Sequence, residues 1–209
     1  MNKYYTIKKI TLLFIIIILS NNIIISQNSE EAVKLLNKVS ENIKSYDNIY
    51  INYTYTLFNL EEDINQINKG SFVTEDDKWK FVMLDVTRIF DGDKLYTIIP
   101  DDEEVTISTQ NPDDESTITP NKMLYFYEEG YNFEMDIVQY VGRKKIQYVK
   151  LIPMDSDAEI KYILMGIDVE FNQIYKVIET GINDTQTTIA IIDFEVNLPL
   201  EESLFVFDK

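Results

Sequence analysis

The stretch Lys69–Thr109, KGSFVTEDDKWKFVMLDVTRIFDGDKLYTIIPDDEEVTIST, decides the fold. Trp79, Phe81 and Met83 alternate with Lys78, Lys80 and Val82, the period of a half-buried strand. Gly70–Val73 lead in, and Glu75-Asp76-Asp77 marks a turn between the two. Asp91-Gly92-Asp93 separates Thr87–Phe90 from Lys94–Ile99, and Asp-Gly between apolar runs is a strong hairpin signal. Pro100-Asp101-Asp102 interrupts the ladder, and Glu104–Thr109 resumes it. Short strands joined by tight turns form an antiparallel meander, because parallel neighbours need long crossovers.

The flanking sequence extends or covers this sheet. Asn28 to Tyr46 reads as a helix, with Asn28 and Glu31 as a capping box. Ala32, Leu36, Val39, Ile43 and Tyr46 form one apolar stripe, broadened by Leu35. Asn48–Asn59 alternates as a long strand, and Glu61–Asn68 reads as a polar loop. Thr119-Pro120 opens a second helix, with Thr119 as N-cap, and Gly130 ends it. Met123, Leu124, Phe126 and Tyr127 make this helix apolar over much of its girth. Strands are expected at Asn132–Val141, Lys145–Ile152, Glu159–Asp168, Gln173–Gly181 and Thr185–Asn197, and Leu204–Phe207 is expected to close an edge. The chain is therefore mainly β, with about ten or eleven antiparallel strands and two helices. Several strands are apolar on both faces, among them Ile160–Met165 and Ile189–Phe194. Either both faces are covered, or one lines an apolar cavity.

Composition excludes much chemistry. The chain has 209 residues and no cysteine or histidine. Thiol nucleophiles, disulfides, Ser-His-Asp catalysis and the usual zinc sites are ruled out. Net charge is −17. Three of the 19 basic residues and none of the 36 acidic ones fall in the first 26 positions, which leaves −20 on the remainder. Such a surface repels nucleic acid. Asp155–Glu159 has some of the spacing of a calcium loop but lacks its glycine and distal glutamate. No catalytic set, metal or cofactor is expected. Arg88 and Arg143 are the only arginines, and Arg143 with Lys144 and Lys145 forms a small basic turn.

Residues 1–26 read as a signal peptide. Lys3, Lys8 and Lys9 precede the apolar run Ile10–Leu19, and cleavage is expected near Ser26–Gln27. The rival reading is an uncleaved anchor, for which the run is short and broken by Asn21 and Asn22. With no cysteine there is no lipidation site, so residues 27–209 are expected as one soluble exported domain.

The order of parts resembles the LolA family of periplasmic lipoprotein carriers. The resemblance rests on Leu35-Leu36, Val39-Ser40 through Ser45-Tyr46, Lys69-Gly70, Trp79-Lys80-Phe81, Phe90-Asp91-Gly92 and Lys94-Leu95-Tyr96. Pro100, Val105, Thr119-Pro120 to Leu124, Val149 through Pro153, and Phe205-Val206-Phe207 complete it. It implies an unclosed, strongly curved antiparallel β-barrel with helices as a lid over an apolar cavity. On this resemblance the cavity is lined by Tyr53, Tyr55, Leu57, Phe72, Trp79, Phe81, Met83, Tyr96 and Ile98. The lid is Leu36, Val39, Ile43, Met123, Leu124, Phe126 and Tyr127. The cargo is lipoprotein acyl chains or another lipid. The resemblance implies an inner-membrane donor complex and an outer-membrane acceptor, and the chain is expected as a periplasmic monomer. The alternative is an envelope regulatory or interaction module on the same fold, with a packed core instead of a cavity. One departure stands out: an arginine before the aromatic strand, which the resemblance implies as the lid's hydrogen-bond partner, is absent from Thr74-Glu75-Asp76-Asp77-Lys78.

Overall fold

The computed structural model describes residues 29–109 and 124–207. Residues 29–44 form helix α1. Eleven strands follow: β1 (Asn48–Asn59), β2 (Ile64–Glu75), β3 (Lys78–Met83), β4 (Val86–Phe90), β5 (Lys94–Ile99), β6 (Glu104–Thr109), β7 (Tyr131–Val141), β8 (Lys144–Pro153), β9 (Ile160–Asp168), β10 (Gln173–Gly181) and β11 (Gln186–Val196). They make one sheet in the order β6-β5-β4-β3-β2-β1-β11-β10-β9-β8-β7. Every neighbouring pair is antiparallel. Two meanders, β1–β6 and β7–β11, are thus joined along one seam, β1 against β11. The edges β6 and β7 do not pair, so the barrel is unclosed.

The turns follow local chemistry. Leu84 and Asp85 both have positive φ, 50° and 62°, between β3 and β4. That is the primed two-residue hairpin whose twist suits the flanking strands. Between β4 and β5 the carboxylate of Asp91 accepts from the amides of Asp93 and Lys94, each at 2.8 Å, while Gly92 takes φ +100°.

Inward-facing residues from both meanders meet in one core. Ile51, Tyr53, Phe72, Trp79 and Leu95 belong to it from one side, and Val149, Leu151, Ile163, Met165 and Ile167 from the other. Ala32, Leu36, Val39 and Ile43 of α1 complete it. The helix is pinned at its C-terminal end, where Asn42 Nδ2 donates to the carbonyl of Phe171 at 2.8 Å, in the β9–β10 turn.

Two expectations need correction. Residues 64–68 are strand, not loop: Asn65, Gln66 and Asn68 pair with Phe58, Leu57 and Tyr55. This half of β2 is mostly exposed, so it lacks the apolar alternation that marks a strand in sequence. The C-terminal piece does not close an edge either. Glu202–Phe205 forms a 3-10 turn packed on β3, Phe205 is buried, and Phe207 stacks on Tyr96 with centroids 5.3 Å apart. It covers the convex face, which accounts for part of the apolar character on that side.

Gly70 shows how tightly the inner face is fitted. Tyr53 lies across it, and its hydroxyl donates to the Val82 carbonyl on β3 at 3.2 Å. A Cβ at Gly70 would collide with the Tyr53 ring and with that same carbonyl. Gly70→Ala is therefore expected to cost about 1–3 kcal/mol, the range for forcing extra atoms into a packed interior. Thermal or urea unfolding of the variant checks this, and parental stability would contradict it.

Candidate functional site

The strand order decides where a site can lie. The chain leaves the sheet at edge β6 and re-enters at the opposite edge β7. Between them the described segment 124–130 packs against the inner face. Leu124 and Tyr125 are helical, and Gly130, with φ +86°, ends the segment. The remainder of the expected helix, including Met123, falls outside the described residues.

Beneath this segment lies an apolar cavity of about 380 Å³. Ile51, Tyr53 and Phe72 form one wall, Ile163, Ile174, Val177, Ile189 and Ile191 the other, and Leu124 and Phe126 the roof. Tyr131 and Glu179 complete the lining. The volume falls within the roughly 300–1,000 Å³ of small-molecule sites. Glu179 is the only charged residue among these, and burial raises its carboxyl above the ordinary range. Burial likewise raises the Tyr131 phenol, with Glu179 adding to the effect.

The roof is tied to α1. Ser40 Oγ hydrogen-bonds the Tyr127 hydroxyl at 3.0 Å and donates to Glu128 Oε1 at 2.8 Å. Lys44 Nζ lies 3.0 Å from the same carboxylate oxygen and 5.1 Å from the centre of the Tyr125 ring. Tyr127 is 1% exposed, and burial pushes its phenol up to about 12. The hydrogen bonds from Ser40 and Lys44 hold Glu128 below the ordinary glutamate value of 4.5. The Lys44–Glu128 pair alone is half exposed and weak. The buried Ser40–Tyr127 contact gives it a fixed frame. The β2–β3 turn, Thr74–Lys78, holds no arginine, and these contacts of the roof come from α1 instead.

The expected site residues fall in several different places. Tyr53 and Phe72 line the cavity, as Leu124 and Phe126 do from the roof. Trp79, Phe81, Leu36, Val39, Ile43 and Tyr127 are buried core, with Trp79 only 1% exposed and its ring 6.2 Å from that of Phe90. Tyr55 and Met83 pack at the margin of that core. Leu57 faces the same side, opposite Gln66 and Thr187, in the row that holds Glu179. Tyr96 and Ile98 lie on the convex face, because Tyr96 pairs with Ile89 whereas its neighbour Leu95 pairs with inward-facing Phe90. Residues directly opposite across a sheet share a face. The isoleucines of β9–β11 and Glu179 were not among the expected lining residues. Their signal was the two-sided apolar pattern of those strands.

The fold recurs in solved structures. The lipoprotein LppX of Mycobacterium tuberculosis aligns with a TM-score of 0.51 and 8% identity, over 82% of this chain and 98% of that one. An uncharacterised conserved protein of Thermus thermophilus aligns with a TM-score of 0.54 and 7% identity, over 86% and 95%. A LolA superfamily protein of Nitrosomonas europaea aligns more loosely, with a TM-score of 0.42 and 9% identity, over 84% and 97%. No family profile and no curated protein sequence matches the chain. The architecture shared with LppX and the Thermus protein is an open antiparallel sheet with a helical cover. At these identities the likeness is one of fold, and function has to be argued from the site.

The roof contacts predict a pH response. A carboxylate whose folded pKa is depressed contributes stability above its unfolded value and loses it as pH falls through the folded value. Glu128→Gln should raise hydrogen exchange of the amides in 124–130 by about fivefold at pH 7, the loss of roughly one hydrogen bond of ordinary net strength at a partly exposed site. Exchange in β8 and β9 should not change. The difference between parent and variant should shrink as pH falls below 4.5 and vanish only once it has passed the lower folded value. Identical exchange at pH 7 would show that the contact does not hold the roof.

Proposed function

We propose that this chain is an exported, non-enzymatic carrier that holds acyl chains in the cavity between sheet and roof. The cargo is the lipid of a lipoprotein, or another lipid, moved across the periplasm from an inner-membrane donor to an outer-membrane acceptor. Residues 1–26 direct export, and residues 27–209 work as a monomeric domain. The observation that carries this reading is the unfilled space under Leu124 and Phe126, lined by aliphatic and aromatic side chains. A module that serves only as a scaffold gains nothing by leaving such a space, since packed interiors are denser and more stable.

Binding and release then need no bond chemistry. Each buried methylene contributes about 0.8 kcal/mol, so a chain of several carbons is held and still released when the roof moves. The roof is suited to this. It is tied to α1 by a few polar contacts at Ser40 and Lys44, and to the sheet by one backbone hydrogen bond at its last residue, from the Met154 amide to the Gly130 carbonyl.

Leu124→Ala separates a carrier from a packed module. Leu124 is 6% exposed, yet part of its surface borders the cavity. A leucine packed on all sides costs about 2–5 kcal/mol when cut to alanine. The expected loss here is below that range, accompanied by weaker binding of an apolar fluorescent dye that the parent binds and hexadecanoate displaces. A full core penalty, together with no dye binding by the parent, would sink the carrier reading.

A further inference from the structure

Glu179 is the one charged side chain among the described residues that line the cavity, and its position along β10 is informative. The strand runs from Gln173, beside the end of α1, to Gly181. Glu179 therefore sits at the end of the cavity remote from the helix. There it also borders a second space, of about 710 Å³, lined by Glu159, Ile160, Gly181, Thr185 and Thr187 among others. Glu179 lines both spaces. A space of mixed polar and apolar lining thus adjoins the apolar cavity, with the Glu179 carboxylate bordering both.

No cation among the described residues serves that carboxylate. Glu179 makes no side-chain hydrogen bond or ion pair with them. Its cross-strand neighbours are Ile163 and Thr187. Lys161, on the adjacent strand, is engaged 2.6 Å from Asp184. A half-buried carboxylate without a partner is costly to keep charged, and burial raises its pKa accordingly. A ligand that brings N–H donors and a positive charge to this point relieves that cost. An anionic head does the opposite, and Glu159 in the lining of the second space and the −20 of the chain beyond residue 26 add to the repulsion.

We propose that Glu179 is the headgroup-recognising residue of the cavity and that it selects an amphiphile whose head carries a protonated amine. The acyl chain lies under Leu124 and Phe126, and the ammonium sits at Glu179 with the rest of the head in the second space. This rests on the carrier reading. The ammonium belongs to either a membrane phospholipid or the free amino terminus of an acylated peptide.

The test compares three probes of equal chain length, hexadecylamine, hexadecanol and hexadecanoate, for displacement of an apolar dye at pH 7. In the parent, the amine is expected to bind about tenfold more tightly than the alcohol, a charged hydrogen bond converted to affinity, and the acid least tightly. Glu179→Gln should bring amine and alcohol level without weakening the alcohol. Equal binding of all three by the parent, or an amine preference that survives in the variant, would overturn the assignment and leave the carrier reading standing. Displacement by none of them would remove both. Should the variant not fold, the ranking in the parent alone decides. Phosphatidylethanolamine and a diacylated peptide with a free amino terminus, compared as competitors, then tell the two sources of the amine apart.

Discussion

The concave face of the sheet carries Ile51, Phe72, Ile163, Met165 and their neighbours, and no strand of an open sheet can cover it. Keeping water from that surface is the constraint on which the rest of the molecule depends. Two segments outside the sheet meet it. Helix α1 lays its stripe Ala32, Leu36, Val39 and Ile43 onto the core, and residues 124–130 come in from the link between the two edges. The helix is the more firmly anchored, through Asn42 and the β9–β10 turn. The second segment depends on the helix in turn, through Ser40 and Lys44. Where this second cover spans β9–β11 without filling the concavity, an apolar space remains.

Much of this was legible in the sequence, for reasons that lie in particular residues. Alternation at Trp79–Met83 and the Asp91-Gly92 turn identify the first meander, and the stripe of α1 needs only its spacing. The early half of β2 was not legible, because Ile64–Asn68 is polar and largely solvated on both sides. The C-terminal Leu204–Phe207 looked like a strand because it is apolar, but Phe205 and Phe207 serve as a patch on the convex face. The cavity was the hardest part. A strand apolar on both faces gives no sign of which face is inside, and a one-residue difference separates inward Leu95 from outward Tyr96. Glu179 was one acid among 36 until the register placed it beside Ile163.

The concavity is filled on one side and open over β9–β11, where Ile51, Tyr53 and Phe72 of the first meander share the lining with residues of the second. On the β3–β5 side Trp79, Phe81 and Leu95 are buried in continuous packing. On the β9–β11 side Ile174, Val177, Ile189 and Ile191 border open space. The surface is strongly acidic, the cavity wall is apolar, and a single carboxylate stands where the two meet.

The carrier reading implies that the cavity is filled in the cell. Native mass spectrometry of the chain purified from its own envelope tests this most directly. The expected result is a mature polypeptide carrying one lipid-sized increment that is shed on collisional activation. A polypeptide found only at its bare mass, from an extract in which lipids of the same size are readily detected, would contradict it.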